Sequence, residues 1–182
     1  MMQIISVNIG RPRYVEWHGE EVATSIFKTP VAGLHQVQTL GIVGNEQADL
    51  TVHGGVKKAV YVYPSEHYAY WREQLPDTRF DWGAFGENLT TEGLTEDVVY
   101  IGDRLLIGTA AFVVTQPRMP CYKLGIRFDR LDMPKRFFKS GFSGLYLAVL
   151  TEGTIEAGNP ITLVPGDRAH GTIAEMFRTK SQ

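Results

Sequence analysis

"DRLLIGTAAFVVTQ", Asp103 to Gln116, is the stretch that decides the fold class. Gly108 divides it into two short apolar runs, which read as a hairpin or as two adjacent strands. The same punctuation recurs in both directions. Ile4 to Ile9, Val22 to Phe27 and Ala59 to Tyr63 read as strands, and "GLYLAVLTEGTIEAGNPITLV" (144–164) continues them with Gly153 and Gly158 as turns. Nineteen glycines and nine prolines separate these runs, too many for long helices. Helices are interruptions: Pro64 is placed to open one over "SEHYAYWREQL", and "MPKRFFKSG" reads as another that stops at Gly141. Many short strands with few helices predict a mainly β fold, a closed β-barrel rather than an alternating α/β sheet.

One barrel domain is expected over residues 1–166, followed by a short tail over 167–182. "PGDRAHG" (165–171) is the one candidate boundary. Beyond it Thr172 and Glu175 stand in capping-box positions, so a helix is expected there, with little chain left for it to pack with.

Composition excludes several classes. Hydrophobic residues make up 43% of the 182, enough to bury a core without covalent staples. Eighteen basic and twenty acidic side chains give a net charge of −2, no electrostatic case for a nucleic acid or an anionic membrane as partner. No run approaches the roughly 20 apolar residues of a membrane helix, and "MMQIISVNIG" reads as a first strand rather than a signal peptide. A single cysteine cannot form an internal disulfide, which points to a reducing, cytoplasmic setting.

That cysteine lies directly after the opening stretch, in "TQPRMPCYKL" (115–124). Structural cysteines usually sit among Val, Leu and Ile. Cys121 instead has Pro117 and Pro120 stiffening its approach and Arg118 and Lys123 nearby, cations that favour a thiolate. A thiolate is the form that attacks electrophiles or binds a soft metal. Two further clusters have the same character. In "HGGVKKA" (53–59), His53, Gly54, Gly55 and Lys57 suit an oxyanion, though a tight turn with an exposed lysine pair explains the residues as well. In "FGENL" (85–89), the Asn88 amide suits the edge of a heterocycle, or equally an Asx-type turn. Asp103 reads as turn chemistry. No Cys-x-x-Cys, P-loop, dinucleotide fingerprint or Gly-x-Ser-x-Gly is present, so most ligands of any metal must come from outside the protein.

Together, "HGG-x-K-x-A", "FGENL", "GD-x-L-x-IG" and "TQPR-x-PC-x-KL" resemble, in order and spacing, the MOSC family, the molybdenum cofactor sulfurase C-terminal type of domain, with its YiiM-type bacterial branch nearest. The resemblance runs from about residue 8 to 165. It implies a closed barrel that binds molybdenum cofactor, with Cys121 as the protein's thiolate ligand to the metal. It further implies reduction of N-hydroxylated substrates, such as hydroxylaminopurine-like bases and amidoximes, with electrons from a separate reductase protein. In that setting His53, Gly54, Gly55 and Lys57 are expected at the anionic end of the cofactor and Asn88 and Gln116 at its heterocycle. Arg118 and Lys123 are expected on phosphate or thiolate, with Tyr61, Tyr63 or His53 as proton sources. Relatives of this type carry a helical extension after the barrel, and the tail to Gln182 reads as its first turns. Three other readings stay open at this level: a carrier of cofactor or persulfide sulfur, a cysteine hydrolase with His53 as base, and a noncatalytic barrel.

Overall fold

A computed structural model describes residues 1–48 and 54–180. The strands are β1 (Gln3–Ile9), β2 (Arg13–Trp17), β3 (Glu20–Thr24), β4 (Thr29–Val31), β5 (His35–Gln38), β6 (Gly41–Ile42), β7 (Val60–Pro64), β8 (Leu89–Glu92), β9 (Arg104–Ile107), β10 (Ala110–Pro117), β11 (Leu145–Thr151), β12 (Gly153–Ile155) and β13 (Ile161–Val164). The helices are α1 (His67–Gln74), α2 (Lys123–Phe128), α3 (Met133–Ser140) and α4 (Ile173–Thr179). The Asp103–Gln116 stretch folds as a hairpin, Ala110 opposite Ile107 across the turn at Gly108. Gly153 begins β12 instead of making a turn, while Gly158 turns with φ 89°.

Eight strands form one sheet in the order β13-β9-β10-β11-β7-β8-β1-β4. Neighbours are antiparallel except β7 and β8, whose parallel pairing requires a crossover that α1 supplies. The expected closed barrel is corrected to an open ladder: among the described residues no strand pairing joins β13 to β4. The sheet instead curls until Gln3 meets Pro160 in an isolated bridge, with the Ile161 amide donating to the Met2 carbonyl at 2.8 Å. Two more backbone bonds continue the contact, from the Ile4 amide to the Asn159 carbonyl at 3.0 Å and from the Gly158 amide to the Ile4 carbonyl at 2.8 Å, before β4 takes over that edge of β1 at Val7–Ile9.

β7 divides the interior. Its side chains alternate by the two-residue period of a strand, and both faces are buried. Val60 and Val62 join Ile4, Leu89, Leu105 and Phe112 in an aliphatic core, while Tyr61 and Tyr63 join Trp71, Phe85 and Phe137 in an aromatic one. α1 and α3 close the aromatic side, burying Tyr68 and Trp71 from the first and Met133 and Phe137 from the second. α3 stops at Gly141, whose φ of 76° is the left-handed conformation that ends helices. α4 carries the expected capping box: Thr172 accepts from the Glu175 amide at 3.1 Å and donates its own amide to the Glu175 carboxylate at 2.8 Å. Short as it is, α4 buries Ile173 and Phe177, the latter 5.3 Å from the Phe138 ring. Among the described residues no helix is long and apolar enough to cross a membrane.

Candidate functional site

β10 runs out at Pro117, and the chain turns there under the aromatic layer. This places Arg118 beneath a cleft and Cys121 on its wall. Two residues further on α2 begins, a helix that the sequence reading did not foresee, and it returns Lys123 to the same cleft. From the sheet, Tyr61 and Tyr146 sit opposite each other in the β7–β11 register with ring centroids 5.2 Å apart, and both line the cleft. Gly54 and Lys58 enter from the segment before β7, and Lys28 from the turn between β3 and β4. The enclosed space is about 90 Å³, room for a phosphate-sized group, so a larger ligand would extend into the open mouth.

Electrostatics define this cleft. Lys28, Lys58, Arg118 and Lys123 line it, and among the described lining residues there is no carboxylate. Arg118 is only 6% exposed. It donates to the Phe85 carbonyl at 3.1 Å and lies over the Tyr61 ring at 4.9 Å and the Phe137 ring at 5.1 Å. Among the described residues no acid stands within ion-pair distance of it. Burial opposes its charge, but the facing oxygens of Tyr61 and Tyr146 and the sulfur of Cys121 outweigh that and hold the guanidinium above its usual range. Burial likewise raises both phenols despite Arg118, so each keeps its proton near neutrality. Lys28 donates to Asn45 at 2.8 Å, and burial pulls it down to about 8, against Glu87, which raises it, and with Arg118, which lowers it. Lys123 is 9% exposed and shows no hydrogen-bond or ion-pair partner among the described residues. Its ammonium keeps contact with the solvent of the cleft, where a bound anion would pair with it.

The structure gathers Cys121, Arg118, Lys123, Asn88 and Gly54 around the cleft. Asn88 is already engaged: its side-chain oxygen accepts from the Tyr61 amide at 3.0 Å and its nitrogen reaches the Asn8 carbonyl at 3.4 Å. It ties strands together rather than closing an Asx turn. Gly54 has φ 99°, a backbone conformation that favours glycine, and a Cβ there would press only on the movable end of the Gln47 side chain. Three expected residues are not on the lining. Gly55 borders open space, the Gln116 side chain is elsewhere, and Lys57 points to solvent from the 3₁₀ turn Val56–Lys58, leaving the cleft to Lys58. His53 lies outside the described residues. Sequence reasoning overlooked Lys28 and Tyr146, which carry no local signal, since a lysine or tyrosine after an apolar run looks like ordinary surface or core.

Glu87, beside Asn88 in the same loop, is wholly buried and belongs to the frame. It accepts from the Gly83 and Phe85 amides at 2.9 and 3.1 Å, from Thr90 at 2.8 Å and from the Tyr68 hydroxyl.

The MOSC domain model matches residues 49–162, which include the Cys121 loop and the segment entering β7. The chain belongs to the MOSC domain family. It is 40% identical to YflK of Bacillus subtilis (strain 168) over 177 residues, 97% of this chain and 79% of that protein. It is 41% identical to YiiM of Escherichia coli (strain K12) over 152 residues, 82% of this chain and 68% of that one. The crystal structure of YiiM from Geobacillus stearothermophilus superposes with a TM-score of 0.81 at 40% identity, covering 99% of this chain and 84% of that one. A protein named Reductase from Gibberella moniliformis (strain M3125 / FGSC 7600) is 36% identical over 149 residues, 80% of this chain but 26% of that protein.

MOSC proteins are associated with molybdenum cofactor, and the donor set of this MOSC chain fits such a group. One thiol can ligate a soft metal, and the surrounding cations suit the phosphate of a pterin. Among the described residues no cluster of three His, Cys, Asp or Glu could hold a metal alone, so remaining ligands would have to come with the cofactor.

Proposed function

We propose that this chain binds molybdenum cofactor with Cys121 as its protein ligand and reduces N-hydroxylated small molecules, N-hydroxylated bases or amidoximes, to the corresponding amines or amidines. The observation that carries this reading is a cleft with no carboxylate among its described lining residues, in which the only thiol of the chain stands among four cations. Such a lining rejects cationic ligands and selects an anion bearing a metal that thiolate prefers. The bound group supplies the two-electron chemistry that breaks an N–O bond.

The protein's own residues hold and protonate. Arg118 and Lys123 neutralise anionic charge without losing internal acid partners. Tyr61 keeps its phenolic proton, donated to the Ser143 carbonyl at 2.9 Å, and so stays a neutral polar wall. Lys28, pulled down to about 8, exchanges its proton near neutral pH and, among the described lining residues, is suited to deliver one to the departing hydroxyl. The balance is R–NH–OH plus two electrons and two protons, giving R–NH₂ and water. A separate electron-donor protein is required, because the chain shows no flavin or iron–sulfur motif. That the similar segment forms 26% of a longer protein named Reductase supports this division of labour.

The test is molybdenum per chain after expression in a host that makes the cofactor, alongside Cys121→Ala. Near-stoichiometric metal in the parent and its loss in the variant is expected. No metal in either, with a MOSC relative loading normally in the same host, would overturn the reading.

A further inference from the structure

Lys28 borders not one concavity but two. On its other side lies an open groove formed with Arg72, Phe80, Trp82 and Arg127, with Asp81 at the edge. Three cations here meet one carboxylate, and that carboxylate already pairs with Arg79 at 3.0 Å. Arg127 is held by rings rather than by acids, its guanidinium carbon 5.5 Å from the Phe27 centroid and 5.6 Å from that of Phe128. Arg13 reaches the same Phe27 ring at 3.5 Å, adding a fourth cation nearby. The Nε of Arg127 is buried and has no hydrogen-bond partner among the described residues. Burial first, and Arg13 in addition, lower its pKa, while Glu87, Tyr68 and Asp81 act the other way. That Nε is closed off from solvent, so a ligand would meet only the outer edge of the ring-held guanidinium, which shares the groove with Arg72 and Lys28, a cluster of cations that phosphate oxygens can pair with. Trp82, half-buried and braced edge-on by Tyr68 at 4.7 Å, adds a flat aromatic wall.

We infer that this groove is a phosphate subsite, which takes the phosphomonoester of a planar aromatic ligand whose other end passes Lys28 into the Cys121 cleft. The favoured substrate class is then the N-hydroxylated nucleoside monophosphate rather than the free base. The substrate statement rests on the reductase reading above; the binding statement does not.

Binding is therefore tested first, on the whole chain without metal, by titration calorimetry with adenosine 5′-monophosphate, adenosine and inorganic phosphate. The monophosphate is expected to bind at least about tenfold tighter than adenosine, with Arg127→Gln removing about tenfold and Arg72→Gln less. Thermal melting checks that both variants stay folded. Equal affinity for adenosine and its monophosphate overturns the inference. So does inorganic phosphate binding as tightly as the nucleotide, which would make the groove a simple oxyanion site. Loss of nucleotide binding in Lys123→Met but not in Arg127→Gln also overturns it, by placing the phosphate in the cleft. On metal-loaded protein, kcat/KM is expected to favour the phosphorylated N-hydroxy compound at least tenfold over its nucleoside. Reduction of neither, with nucleotide binding intact, sinks the reductase reading and leaves the groove standing.

Discussion

Glu87 and Arg118 are both buried charges, and Phe85 touches both: its amide donates to the acid and its carbonyl accepts from the base. Beyond that they differ. Four donors from the chain itself surround Glu87. Arg118 has one good acceptor in the Phe85 carbonyl, the hydroxyls of Tyr61 at 3.5 Å and of Tyr146, aromatic faces, and no acid within ion-pair distance among the described residues. A charge fully satisfied from within holds the fold, whereas one short of partners is kept for something that arrives from outside. The two are the structural and the receptive halves of one polar layer.

The largest effect is expected where satisfaction is complete. Glu87→Ala strands four donors in a dry site and should cost about 3–5 kcal/mol in urea unfolding, since removing one side of a buried charged network leaves the other side unpaired. A loss below about 1 kcal/mol would break the comparison.

Next comes Lys28, which shares features of both halves. Its folded pKa of about 8 lies below the unfolded value near 10.5. The unfolded chain therefore holds the proton more tightly, and stability rises with pH between those two values. A gain of about 1–2 kcal/mol from pH 8 to 10.5 is expected, allowing for solvent access to a half-buried amine. Lys28→Met should flatten it, and a saturating anion in the cleft should flatten it too.

Arg118→Met sharpens the contrast from the receptive side. Replacing an under-satisfied buried charge by an apolar side chain is expected to change unfolding stability by about 1 kcal/mol or less, in either direction. Molybdenum retention should nevertheless fall at least tenfold. Destabilisation matching Glu87→Ala would show that Arg118 belongs to the frame after all.

The smallest effect belongs to the surface. Asp132, on the surface, is held down to about 2 by hydrogen bonds from Arg136 and then Arg130. Its contribution is present above pH 4 and is lost as pH falls toward 2. Asp132→Asn should lower the melting temperature slightly at pH 6 and much less at pH 2, where about half of the folded carboxyl is protonated.

The same distinction explains what could be read from the chain alone. The Asp103–Gln116 hairpin was legible because its glycine and its apolar runs are local. Cys121 stood out because prolines and cations beside a thiol are visible without a fold. Lys28 and Tyr146 were not legible, because only the curl of the sheet brings the β3–β4 turn and β11 to the end of β10. The preference for Lys58 over Lys57 depends on the rotation of one 3₁₀ turn, which no motif specifies. α2 escaped because six residues with Gly125 among them are too few to show a helical period or to form a helix alone; buried Leu124 and Phe128 hold it. Closure of the barrel was overestimated for a related reason, since the number of strands says nothing about which edge of β1 is already taken by β4.

The bridge between Gln3 and Pro160 also orders events in time. A ribosome releases the first strand long before the segment that completes one of its edges, and β8, its other long neighbour, emerges only near residue 90. During synthesis only the end of β1 at Val7–Ile9 has an early partner, in β4, and the rest of the strand stays unpaired, the kind of intermediate that chaperones shield. Final assembly of the sheet waits for nearly the whole chain, so a synonymous change that slows translation near residue 90 would lengthen the most aggregation-prone interval of this protein's life without altering a single side chain.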